Sequence, residues 1–220
     1  MAEQRDWQRL LAGEKQYFSS NSRQCAHTLG DALAELILYL DPTLSRPRVV
    51  FCIGTDRSTG DCLGPLVGTQ LTPLASHYYH IYGTLDDPIH ATNLAEKKKA
   101  IEETHPGALI IAIDASLGRI DQVGQVTLSL GGLRPGAGVK KDLPEIGDLH
   151  ITGIVNVGGF MEFMVLQNTR LSEVMKLSNQ ISRGLLYGYY RAARRKPVAS
   201  LTFQSSATAL DAQKVEPVWP

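Results

Sequence analysis

Cysteine is scarce in this chain: among 220 residues only Cys25, Cys52 and Cys62 occur, with no CxxC pair. That excludes a disulfide framework and a cysteine-rich zinc site, and it favours a reducing, cytoplasmic setting. An excess of charge is missing too, since 22 basic residues balance 22 acidic ones. Nothing therefore draws the whole molecule toward nucleic acid or an anionic membrane. No apolar run is long enough to span a bilayer, and the opening MAEQRDWQRLL has acids and no apolar signal-peptide core. The loop GTDRSTG (54–60) lacks the GK[ST] ending of a P-loop and does not fit GxGxxG, which argues against nucleotide binding. With 43% hydrophobic content and no internal repeat, the chain suffices for one core. The expectation is a single domain over 21–196, between a loose N-terminal segment (1–20) and a C-terminal tail (197–220).

What the chain does have is concentrated in VVFCIGTDRSTGDCLGPLVG, Val49 to Gly68. Val49 to Ile53 form an apolar run rich in β-formers, as in a strand buried on both faces. From Leu66 the apolar residues (Val67, Leu71, Leu74, Ala75) recur at helical spacing. Pro65 suits the first turn of a helix, so regular helix is expected no earlier than about Cys62. Asp61 then lies in the turn or at the helix mouth, beyond the carboxyl end of a strand, where open α/β sheets bind ligands. Taken alone it could equally be a helix cap. A second run, ALIIAIDASL (108–117), carries Asp114 at its expected strand end. Two acids at two parallel strand ends face one crevice and are harder to explain as caps.

The remaining elements follow from periodicity. An amphipathic helix is expected from Ala26 to Leu40, stopped by Asp41-Pro42. HYYHIYGTL (77–85) reads as a strand and DDPIHATNL as the loop after it. Asn93 with Glu96 resembles a capping box opening a helix from Leu94 to Thr104. Its Lys97-Lys98-Lys99 run reads as a solvated face. Gln125 to Leu130 and Ile151 to Val157 are further strands, and helical spacing holds from Phe160 to Arg194. The basic cluster Arg191, Arg194, Arg195 and Lys196 complements a helix C-terminus and lacks the aromatic platform of a nucleic-acid site. Between the last two strands the Gly- and Pro-rich stretch 131–149 is expected to be mobile and to border the crevice. Strands alternating with helices predict a three-layer α/β/α sandwich around a mostly parallel sheet.

Two neighbouring carboxylates repel, so one can hold a proton near neutrality while the other acts as a base toward water. That suits hydrolysis. The same pair could take a divalent transition metal with a histidine as third ligand, and His150, just before a strand, is the best placed of six histidines. His90, beside Asp86 and Asp87, carries a weaker local signal. A nucleophilic Cys62 is disfavoured by the adjacent carboxylate. Arg57, Ser58 and Thr59 are candidates for holding a substrate backbone.

FCIGTDRSTGDCLGPLVG, YGTLDDPIHATNL, IDASLG and LHITGIVNVGGFMEFMVLQNTRL together resemble the YyaC-type sporulation proteins of endospore-forming bacteria, from about Arg48 to Arg195. That family is similar in fold to the germination protease and to the hydrogenase maturation endopeptidases. The resemblance implies a peptide hydrolase acting on a protein or peptide substrate, such as a spore protein, in the cytoplasm, forespore or spore core. It is compatible with a homo-oligomer. Asp61 in GDCLGP and Asp114 in IDASLG match the aspartates of the germination protease, which implies a catalytic pair without cofactor. Asp61, Asp114 and His150 match, in HITG only loosely, the metal-binding positions of the maturation enzymes. The metal-free pair is favoured because Asp61 stands where those enzymes have a longer glutamate. The rival from another class is a non-catalytic, spore-specific binding or regulatory protein on the same scaffold.

Overall fold

The structure is a computed structural model and describes residues 10–135 and 143–195. Six strands form one sheet: β1 (Gln16–Ser19), β2 (Arg48–Cys52), β3 (His80–Tyr82), β4 (Leu109–Gly118), β5 (Gln125–Leu130) and β6 (Leu149–Val157). Their spatial order is β1-β5-β6-β4-β2-β3. The pairs β2–β3, β2–β4 and β4–β6 are parallel, whereas β5 runs antiparallel to both β1 and β6. The helices are α1 (Cys25–Leu40), α2 (Leu63–Ala75), α3 (Leu94–Thr104), α4 (Glu162–Gln167) and α5 (Leu171–Arg195).

Side chains alternate across the sheet and divide the interior in two. Val50, Cys52, Ile111, Ile113, Ile151 and their neighbours pack with the apolar stripes of α1, α2 and α5 into the larger core. Val49, Phe51, Ile53 and Ala112 on the other face pack with Leu94 and Ile101 of α3 and with Ile89 and Ile146. This is the three-layer α/β/α arrangement expected, with a thinner second helical layer. That second face turns polar beyond α3: Asp114, Thr152 and Thr127 stand in register on β4, β6 and β5. The Thr152 and Thr127 hydroxyls are 2.7 Å apart.

The chain leaves β2 through α2 to reach β3 on one side, then crosses through α3 to β4 on the other. The strand order therefore reverses between β2 and β4, and a crevice opens beyond their carboxyl ends. Asp41 prepares the entry to β2. After its N–H closes α1 on Ile37, its carboxylate accepts hydrogen bonds from the amides of Ser45 and Arg46.

Several expectations need correction. The segment before residue 20 is not loose along its whole length, because Phe18 packs on the larger core, Leu10 is fully buried, and β1 adds an edge strand to β5. β4 does not end at Asp114 but continues to Gly118, since β6 accompanies it where β2 has stopped. α3 spans the expected residues without the expected cap. The Asn93 side chain turns back, accepting from the His90 amide at 2.8 Å and donating to the Pro88 carbonyl at 3.1 Å. The stretch 131–149 is anchored at both ends: Leu133 bridges to Ile146, whose side chain is fully buried. Residues 136–142, on which the rest of that expectation falls, lie outside the described residues, as does the proposed tail from 197.

Candidate active site

Glycines bring the helix mouth onto the strand end. After β2, Ile53 donates its N–H to Ile113 of β4 at 2.7 Å and bridges to Ile89 on its other side. Gly54 follows at φ +143°, a conformation that disfavours a side chain, and a Cβ there would lie 1.9 Å from the Asp61 carbonyl oxygen. Gly64, in the first turn of α2, sits so close to Ile53 that a Cβ would come 2.1 Å from its carbonyl oxygen. The chain thus folds back on itself as a tight 3₁₀ turn, Gly60–Cys62, immediately before α2. On its outer side Gly60 is backed by Leu166 of α4 and by Thr169.

Asp61 is half-buried in this turn and Asp114 is buried in β4, one residue past the last pairing with β2. The two carboxyls interact. Burial raises Asp114 well above the usual carboxylate range, the Asp61 charge adds to the rise, and a hydrogen bond from the Ala115 amide opposes it. Burial also raises Asp61, while the charge of His90 and a hydrogen bond from the Thr55 amide pull it back. The environments are unequal, and Asp114 is the one that keeps its proton more firmly.

The three candidate substrate contacts differ. Arg57 is exposed beside the turn, and Thr59 is half-buried with its carbonyl accepting from the Cys62 thiol at 2.9 Å. Ser58 is buried, and its hydroxyl is enclosed without a hydrogen-bond partner among the described residues. Of the three, Arg57 is the side chain most open to solvent. Cys62 is held as a thiol, since burial and then the charges of Asp61 and Asp56 raise it against one backbone hydrogen bond.

The three-ligand set of Asp61, Asp114 and His150 is not assembled. Among the described residues no group of three or more His, Cys, Asp and Glu side chains is placed to hold a metal. His150 sits inside β6, 8% exposed, with Nδ1 2.9 Å from the Gly131 carbonyl, and burial lowers its pKa. The charges it senses are Lys15 and Glu145, not the acid pair. The imidazole whose charge acts on Asp61 is His90, and its loop is pinned to the strand end by the Gly54 amide donating to Ile89. The signal that could have singled it out was its place in the loop following the strand beside β2.

An open groove of ≈ 700 Å³ lies farther along the carboxyl ends of β4 and β6, lined by Arg119, Ile120, Val157 and Glu162 among others, and not by the acids. Near it Phe160, Met161, Phe163 and Met164 expose their apolar side chains. No helix among the described residues is long and apolar enough to cross a membrane.

The chain is similar to known proteins at two levels. The [NiFe] hydrogenase maturation protease HycI from Thermococcus kodakarensis KOD1 covers 67% of this chain and 98% of its own, at 16% identity and a TM-score of 0.41, a likeness too slight to bear on function. The Bacillus subtilis (strain 168) protein described as "Uncharacterized protein YyaC" is 48% identical over 195 residues, 84% of this chain and 95% of that protein. A family model described as "Protein of unknown function (DUF1256)" matches residues 17–184, a span that includes both acids and His90, and the chain belongs to that family.

Proposed function

We propose that this protein is a sporulation-associated peptide hydrolase in which Asp61 and Asp114 form the catalytic pair. The observation that carries the reading is the unequal burial of two interacting carboxyls at the switch point of a parallel sheet. Asp61, more open and with its anion favoured by the charge of His90, is the base: it takes a proton from the water that attacks the scissile carbonyl. Asp114, the group that retains its proton, donates a hydrogen bond to the carbonyl oxygen as negative charge develops there. The carbon–oxygen bond forms, the carbon–nitrogen bond breaks, and the proton taken from water is returned to the departing amine. Arg57, on the exposed side of the turn, is the residue to hold the substrate backbone. The donor set does not fit a three-ligand metal centre, so no step is routed through a metal.

The test is incubation of the purified protein with small spore proteins and mass analysis of the products. Cleavage that falls by about 10³-fold or more in both Asp61→Asn and Asp114→Asn supports the reading. Full activity in both variants contradicts it.

A second reading, a spore-specific binding or regulatory protein on the same scaffold, is favoured by the exposed Phe160, Met161, Phe163 and Met164. Contiguous exposed apolar side chains mark an interaction surface. Binding of a spore protein without cleavage, undiminished in Asp61→Asn, would select it.

A further inference from the structure

The segment between β3 and α3 is held with more hydrogen bonds than a connecting loop requires. Gly83 lies against β2 so closely that a Cβ would come 1.9 Å from the Cys52 carbonyl oxygen. The Leu85 amide donates to Thr69 of α2 at 2.9 Å, and the Asp87 carboxylate is gripped by Lys97 of α3 at 2.8 Å. Ile89 is buried, bridges to Ile53, and accepts from the Gly54 amide at 2.7 Å. The result fixes the next residue, His90, at the carboxyl end of β2, on the opposite side of that strand from β4 and its Asp114.

The ring is fixed as well as the backbone. His90 donates its N–H to the Asn93 side chain at 2.8 Å, and its carbonyl accepts from the amides of Asn93 and Leu94, both at 3.0 Å. Nδ1 lies 2.8 Å from the Thr92 hydroxyl. With Nδ1 engaged by a hydroxyl that can donate or accept, the ring has a set direction and Nε2 is the nitrogen available to a reacting group. Asn93 thus gives up the helix cap suggested by its sequence position to hold His90.

Resting on the hydrolase reading, we propose that His90 is its third working residue, an acid–base partner of Asp61 that delivers the proton to the departing amine. Water loses a proton to Asp61 as the carbon–oxygen bond forms. That proton passes by way of His90 to the amine nitrogen as the carbon–nitrogen bond breaks, so Asp61 and His90 both return to their starting states. Asp114 stays with the carbonyl oxygen throughout, and Thr92 is a positioning residue that orients the imidazole. The pull of His90 on Asp61, which offsets part of the burial of that carboxyl, fits the same pairing.

The experiment measures cleavage of one peptide sequence in two forms, an ordinary amide and an ester whose alcohol leaves without protonation, by wild-type protein, His90→Gln and Thr92→Val. Circular dichroism melts of all three control for folding. The expected result is a kcat on the amide lowered by about 10²-fold or more in His90→Gln with KM little changed, and a much smaller loss on the ester. Thr92→Val should show the same pattern in weaker form. A structural role alone would lower both substrates equally. Wild-type cleavage with His90→Gln equally active on the amide, or equally impaired on amide and ester, overturns the proposal and leaves the hydrolase reading standing. Absence of cleavage of either substrate by the wild-type protein overturns the hydrolase reading and the proposal with it.

Discussion

Asp114 enters the folded state more readily as the neutral acid than as the anion, because burial and the Asp61 charge both oppose its ionisation. The consequence for stability has a definite sign. A carboxyl whose pKa is raised on folding contributes stability that is fully present below its unfolded value, about 3.9, and is lost as pH rises through the folded value. Urea midpoints should therefore fall as pH increases above about 4, and Asp114→Asn should flatten that part of the slope while retaining the fold. Asp61, shifted the same way, leaves a smaller residual slope. His150 acts with the opposite sign: its folded pKa lies below the unfolded one, so its contribution is lost as pH falls through the range below about 6.5. His150→Gln should make the protein less sensitive to mild acid, again read from urea midpoints. At this scale the sequence displayed the acids well, because each adjoins a strand legible as an apolar run. The two histidines were harder to tell apart, and it is His90 whose charge acts on Asp61. Both are isolated loop-adjacent residues in the sequence, and only the Ile53–Ile89 bridge and the pairing of β6 with β4 and β5 place one beyond the end of β2 and the other inside the sheet.

The turn between β2 and α2 is the element on which the site depends. A helical glycine replaced by alanine ordinarily stabilises by about 0.8–1 kcal/mol. At Gly64 the sign should reverse, because the new Cβ would lie 2.1 Å from the Ile53 carbonyl oxygen and 2.7 Å from its amide nitrogen. Gly64→Ala is expected to destabilise by about 1–3 kcal/mol in denaturant unfolding and to reduce cleavage by displacing Asp61. A stabilised variant would mean that the turn is looser than described. Strand and helix positions were largely visible from periodicity, and the Pro65 argument placed the helix mouth within a residue. The Asn93 cap was misread because the same Asn side chain satisfies either the helix amides or the preceding loop, and spacing alone does not distinguish them.

The whole molecule is built on a sheet whose parallel part was anticipated and whose antiparallel margin was not fully so. β1 is short and polar in sequence, with Gln16, Tyr17 and Ser19 flanking a single core residue, Phe18. It becomes a strand only because β5 offers an unpaired edge, a tertiary cause that local composition cannot express. Leu10 provides the check. Fully buried, it should cost about 2–5 kcal/mol on replacement by alanine, read from the urea midpoint. A loose N-terminal segment would give almost no change. The resemblance to YyaC-type proteins, read from motifs between Arg48 and Arg195, agrees with the family to which the chain belongs.

Asp61 and Asp114 form one electrostatic unit at the switch point between β2 and β4. The most direct measurement is the titration of the Asp114 side-chain carboxyl by ¹³C NMR in the full chain, compared with Asp61→Asn. The expected midpoint lies well above the usual carboxylate range in the wild type and is lower, still raised by burial, once the Asp61 charge is removed. An Asp114 that titrates in the ordinary carboxylate range, with a midpoint the same in both proteins, would contradict it.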